Sequence, residues 1–370
     1  MQRFITIAVV GLALTMSAPA QFTYVTNNGT ITITKYTGPG GNVSIPDTVT
    51  GLPVVSIGPS AFSGCTNLIS VTIPDSVISI GDGAFESCSY MTSATIGTNV
   101  TTIGDSAFYF CALNSVTIPN HVTSIGPRVF MGCDSLTNVT TGNGVTGIGD
   151  YAFCACFGLT SIKIPNAVTN IGSAAFGYCG SLTGVTIPES VTRLAGGAFG
   201  YCGGLTNITL SSSLISLENS PFTGCFNLAS VLISDSVTSI GYFSFQKCPR
   251  LTGVYFQGNC PGRTVVSVFE GGTNLTLYYL PGTTGWSATY GGRPTALWNP
   301  QPQSVGLKSN VFGFTITGTT NIPIVVEASA NIATASWIAL QTCTLTNGSI
   351  YFSDPAWTNY PARFYRIRSP

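Results

Sequence analysis

IPNAVTNIGSAAFGYCGSLTGVTI, residues 164–187, opens on Ile-Pro-Asn, closes on Val-x-Ile, and carries Phe176, Cys179 and Leu182 three residues apart. Outward from it the same spacing recurs in both directions. Cysteines stand at 65, 88, 111, 133, 156, 179, 202, 225 and 248, at intervals of 23 with a single 22. A Phe lies three residues before each, from Phe62 to Phe245, and an Ile or Leu lies five before each Phe, from Ile57 to Ile240. The short interval has a local cause, because Cys111-Ala112-Leu113 lacks one residue between Cys and Leu. A fixed period of this size means stacked units that bury a core only together.

Each unit reads as one coil. Leu-x-x-Val-x-Ile, as in Leu68 to Ile73, alternates like a strand with one face inward. Ile73-Pro74-Asp75-Ser76 is a corner, where Pro ends the ladder and Asp favours the turn. Val77 to Ile80 is a second short strand, and Gly81-Asp82 opens an expected helical turn through Cys88. Stacking at the strand spacing of about 4.8 Å would line up ladders of Val, Ile, Phe, Leu and Cys.

The x-Ala-Phe-x-x-Cys-x-x-Leu spacing over about Val43 to Phe256 resembles the BspA-type leucine-rich repeat. The resemblance implies an elongated leucine-rich-repeat solenoid, and for the family a role in surface adhesion and protein or glycan recognition. Met91 and Ala94 in place of Leu and Val, Thr141 in place of an inward Ile, and Ser220-Pro221 before Phe222 depart from the pattern in single coils.

Four segments are expected. Residues 1–20 read as a bacterial-type Sec signal peptide: Arg3, an apolar Ile5–Met16, and Ala18-Pro19-Ala20 for cleavage. The apolar stretch is shorter than the roughly 18–20 residues of a membrane span, and no later segment is apolar enough to be one. Residues 21–298 form the solenoid, its N-terminus capped by a hairpin turning at Asn28-Gly29 and its C-terminus by degenerate coils with strands at Val265–Phe269 and Leu275–Leu280. Residues 299–303 (Asn-Pro-Gln-Pro-Gln) read as a linker, and 304–370 as a small all-β, sandwich-like domain of short antiparallel strands.

Composition narrows function. Charged residues are 7% of the chain, against about 25% in ordinary globular proteins, with 13 basic, 13 acidic and one His. Zero net charge lacks the basic footprint of nucleic-acid binding. A Ser–His–Asp triad would have to use His121, which occupies an ordinary corner position. Asp82 and Asp105 stack on neighbouring coils like a glycosidase carboxylate pair, but their column also holds Pro59, Pro127, Asp150 and Ser173, all starters of a short helical turn. The coils carry no insertion that could wall a cleft. No catalytic residue, cofactor or metal is expected.

Nine column cysteines in an exported chain invite a disulfide ladder or metal array. Parallel Cβ vectors about 5 Å apart do not suit a disulfide, so they read as small buried hydrophobes. Cys154, Cys260 and Cys343 fall outside the column and are left unassigned. Thr72, Thr95, Thr117, Thr140, Thr186 and Thr209 face outward along the first strand, which strand propensity explains more simply than ice binding. Lys163, Leu232 and Tyr255 interrupt that column, while Tyr178 and Tyr201 stack on the coil edge beyond Tyr109 and Phe110. These five residues are the candidate contacts to an extracellular protein or polysaccharide. Arg363, Arg366 and Arg368 are left between pairing with Asp354 and surface attachment.

The expected protein is exported and non-enzymatic, with adhesion or recognition on its solenoid face. A polysaccharide-active β-solenoid enzyme and a purely structural envelope or matrix protein are the alternatives.

Overall fold

The computed structural model describes residues 21–262, 266–333 and 336–370, apart from the side chain of Val266. Met1–Ala20, read as the signal peptide, lies outside them. The chain winds into a leucine-rich-repeat solenoid followed by C-terminal sheets. Short parallel strands pair coil to coil at the repeat register: Val116 faces Val139 and Ile148 faces Ile171. The second strands run from Ser124–Ile125 to Ser239–Ile240 as one unbroken sheet. The first strands form three sheets, Gly41–Ser44 through Asn138–Thr140, then Gly184–Thr186 with Asn207–Thr209, then Ser230–Ile233 onward.

The turn expected to be helical is not a helix. Two residues per coil, two before and two after the Phe, sit at positive φ: Ser106 at 57° and Phe110 at 52°, Ala174 at 49° and Tyr178 at 62°. Left-handed residues at this spacing cannot continue a right-handed helix. Backbone N–H groups instead alternate in direction. Those of Ala107 and Tyr109 bond three residues back, to Gly104 and Ser106, while those of Ser106, Phe108 and Phe110 bond to Pro127, Val129 and Met131 of the next coil. The coil edge is therefore a third inter-coil ladder.

Side the rings stand in register. Phe62 through Phe245 stack face to face at 4.7–6.0 Å between centroids. The hairpin Phe22–Asn27 with Thr30–Tyr36 closes the N-terminal end, placing Tyr36 on Phe62 at 5.0 Å. At the other end, Val266–Phe269 is a 3-10 turn and not the expected strand, while Val265 lies outside the described residues. The reason is that Phe269 extends the ring column, 5.7 Å from Phe245. Trp286, Tyr279, Tyr290 and Phe256 cluster beyond it.

Two three-stranded antiparallel sheets follow, Gln301–Lys308, Val311–Thr317 and Ser349–Asp354 in one, Ile338–Thr344, Pro323–Ser329 and Phe364–Arg368 in the other. The segment read as a linker contributes Gln301 to Gln303 to an edge strand, paired with Thr317 to Thr315. Pro302 is tolerated because an edge strand needs only half its backbone groups paired.

Candidate functional site

Period-two alternation sorts the first strand. Val116, Val139 and Val185 are buried, while Thr72, Thr95, Thr117, Thr140, Lys163, Thr186, Thr209 and Leu232 are exposed in one line. Two other Thr columns are spent on the fold. Thr137, Thr160, Thr183 and Thr206 each donate to the carbonyl one coil back, as do Thr101, Thr146, Thr169 and Thr238. The six exposed first-strand threonines make no side-chain hydrogen bond among the described residues. Among the described residues this face offers two runs of free hydroxyls, Thr72 to Thr140 and Thr186 to Thr209, on either side of Lys163.

Lys163 lies where that face is irregular. Its strand is reduced to one bridge, Ser161 to Gly184. Thr141, standing where an inward Ile is usual, turns its hydroxyl onto the Lys163 carbonyl at 2.9 Å. Beside Lys163, Gly184 occupies a position that holds Ser or Asn in the coils before and after it, Ser161 and Asn207. The missing side chain leaves a hollow of about 470 Å³, lined by Lys163, Asn166, Gly184, Thr186, Asn207 and Thr209 among others. Sequence reasoning named Lys163 and missed Gly184; a Gly in a Ser/Asn column was the available signal.

Tyr255 is a correction. It is only 5% exposed, because it stacks on Tyr278 at 4.9 Å and meets Trp298 edge-on, inside the core of the C-terminal sheets. Burial also pushes its phenol well above the usual range. The change from Thr to Leu and Tyr in this column marks where the C-terminal part seats. Leu232 remains exposed at the boundary, beside Arg368 and Ser369, and Ser230 donates its hydroxyl to the Pro370 carbonyl at 3.2 Å.

Tyr178 and Tyr201 do meet on the coil edge, away from Lys163's face, with rings 4.8 Å apart and nearly parallel. Tyr178 is exposed and Tyr201 half-buried. A Cβ on Gly224 would lie 2.7 Å from the Tyr201 ring, so that ring is sandwiched between Tyr178 and the Gly224 backbone. Both faces of Tyr201 are covered, which leaves ring edges for contact and weakens a sugar-stacking platform. Phe157 and Phe226 are further exposed aromatics of the coil surface that sequence reading passed over.

The remaining candidates are structural. His121 Nδ1 pairs with the Thr98 carbonyl at 3.0 Å. Asp82 accepts the backbone N–H of Asp105 at 2.9 Å, and Asp150 that of Ser173 at 2.7 Å. The Asp column thus ties coil to coil instead of capping its own turn. All twelve cysteines are free. Arg363 pairs with Asp354 at 2.5 Å, and Arg366 and Arg368 share Glu327 at 2.7 and 2.6 Å. No helix among the described residues is long and apolar enough to cross a membrane.

A family model described as BspA type leucine rich repeat region matches residues 55–183 and 169–284, in six copies. Similar solved structures include a leucine rich cell surface protein of Faecalibacterium prausnitzii, 28% identical, covering 70% of this chain and 93% of that one with a TM-score of 0.38. A leucine-rich repeat protein of T. pallidum is 29% identical over 63% of this chain and 88% of its own, with a TM-score of 0.35. One from Bacteroides ovatus is 25% identical over 75% and 98%, with a TM-score of 0.36. No curated protein matches the chain.

Proposed function

The chain belongs to the BspA-type leucine-rich-repeat family, and from that premise we propose that it is an exported, non-enzymatic surface protein that recognises an extracellular protein or polysaccharide. The recognising surface is the first-strand face from Thr72 to Leu232. The observation that carries this reading is its row of exposed hydroxyls, unspent on the fold while the neighbouring Thr columns are spent. A neutral, hydroxyl-rich surface suits uncharged partners bound through direct and water-bridged hydrogen bonds.

Export rests on the signal-peptide pattern of residues 1–20, and a surface location fits the family. The lone His bound to a backbone carbonyl and the Asp column bound to backbone N–H groups support a role without catalysis. Residues 21–298 would act as the recognition unit and 304–370 as spacer or attachment module.

The test is binding of purified residues 21–370 to an array of extracellular-matrix proteins and polysaccharides at two salt concentrations. Saturable binding to one class supports recognition. Silence across the array sinks it and favours a structural envelope or matrix role.

A further inference from the structure

Lys163 is the single charged side chain in the exposed first-strand line from Thr72 to Leu232. Its ammonium makes no ion pair or hydrogen bond among the described residues. It also stands where the strand ladder is interrupted and Gly184 opens the hollow. We propose that this hollow takes the carboxylate of an acidic polysaccharide, a chain of uronate-type sugars, onto Lys163. The proposal rests on the recognition reading above and names its ligand class.

The lining separates a glycan from a peptide. With Lys163 the hollow is lined by Thr186, Thr209, Asn166 and Asn207, whose hydroxyl and amide side chains serve a polyhydroxy chain. The pocketed aromatic anchors that dominate protein interfaces are missing from this part of the face. A neutral polymer laid here offers the ammonium only uncharged hydroxyl acceptors. An acid group supplies a charge-assisted hydrogen bond instead.

The hollow continues along the solenoid. A second one, of about 290 Å³, shares Asn207 and Thr209 and ends against Arg368. Beside that end Arg366 and Arg368 share the carboxylate of Glu327. An extended acidic chain following this trough meets Lys163 as the one unpaired cation among the lining residues, with hydroxyl and amide side chains along the rest.

Titration of the full mature chain with polygalacturonate, its methyl ester, dextran and the array of matrix proteins tests the assignment. Wild type is expected to bind polygalacturonate with an affinity that falls as salt rises, and the methyl ester about tenfold more weakly. Lys163→Thr restores the column residue, so it should fold normally, lose about tenfold in affinity and flatten the salt dependence. Lys163→Arg should retain binding. Gly184→Ser adds a side chain that meets only the Asn207 carbonyl, 3.6 Å from its Cβ, and should weaken binding with the charge intact. Equal binding of acid and ester, or of wild type and Lys163→Thr, overturns the assignment. Binding of dextran or a matrix protein without polygalacturonate also overturns it while leaving the recognition reading standing. Silence toward every probe removes both.

Discussion

Eight column cysteines, from Cys88 to Cys248, point their thiols at the Phe carbonyl of the coil before, as Cys179 does to Phe153 at 3.2 Å. The same carbonyl accepts the backbone N–H of its own coil's Cys, so both lone pairs are used. A thiol suits this place because it fills the volume of a small apolar side chain and still donates. Burial pushes Cys133, Cys202 and Cys248 up to about 12, which leaves almost no thiolate at neutral pH. Iodoacetamide at pH 8 should therefore modify the half-buried Cys65, Cys260 and Cys343 in the native protein, and the nine buried cysteines only after unfolding. Peptide mass mapping checks it; native labelling of Cys179 as fast as Cys343 would contradict it. The buried role of the column was legible from its spacing. The donor role was not, because the bond reaches 26 residues along the chain, from Cys179 to Phe153, and no motif within one coil displays it.

Between residue and molecule, the ladders carry stability. Phe176 is fully buried between Phe153 and Phe199, at 5.4 and 5.2 Å. Phe176→Ala should cost about 3–5 kcal/mol in chemical denaturation, since both neighbouring coils are fixed by their own ladders and cannot collapse into the gap. An exposed control such as Thr186→Ala should cost under about 0.5 kcal/mol. In the C-terminal sheets the Glu327 carboxylate contributes to the acid limit. Burial pushes the Glu327 carboxyl up, but the hydrogen bonds from Arg368 and Arg366 outweigh it and hold the group below the usual carboxylate range. A depressed folded value means stability that is present above about pH 4.3, the unfolded value, and lost as pH falls through the folded one. Glu327→Gln should remove that stretch of the acid-unfolding profile and cost about 2–3 kcal/mol at pH 7. The strands were legible because alternation survives in most coils, the Thr141 departure and the single bridge at Ser161 being the exceptions. The edge turn was misread as helical because Gly holds its left-handed positions only in places, as at Gly64, Gly83 and Gly132, while Ser, Arg, Ala and Tyr hold them elsewhere and hide the pattern.

Over the whole molecule, one face changes character along its length. It runs open from Thr72 to Leu232 and then passes under the C-terminal sheets, where Tyr255, Tyr278 and Trp298 take the load. Tyr255→Ala with Tyr278→Ala should loosen that seat, seen as faster proteolysis near Asn299 with the solenoid's melting unchanged. Equal proteolysis would show that the aromatic contact is dispensable. Sequence alone marked the column's break at Leu232 and Tyr255, but a ligand contact and an internal docking contact use the same residue types, and only the fold distinguishes them. The central claim is that the open stretch of this face does the recognising. The most direct measurement compares wild type with Thr117→Glu/Thr186→Glu on the array of matrix proteins and polysaccharides. Both positions are exposed and spend no hydroxyl on the fold, so the variant should keep its melting temperature. The account predicts that a ligand retained by wild type loses the variant. Undiminished binding by a folded variant would contradict it and move the site off this face.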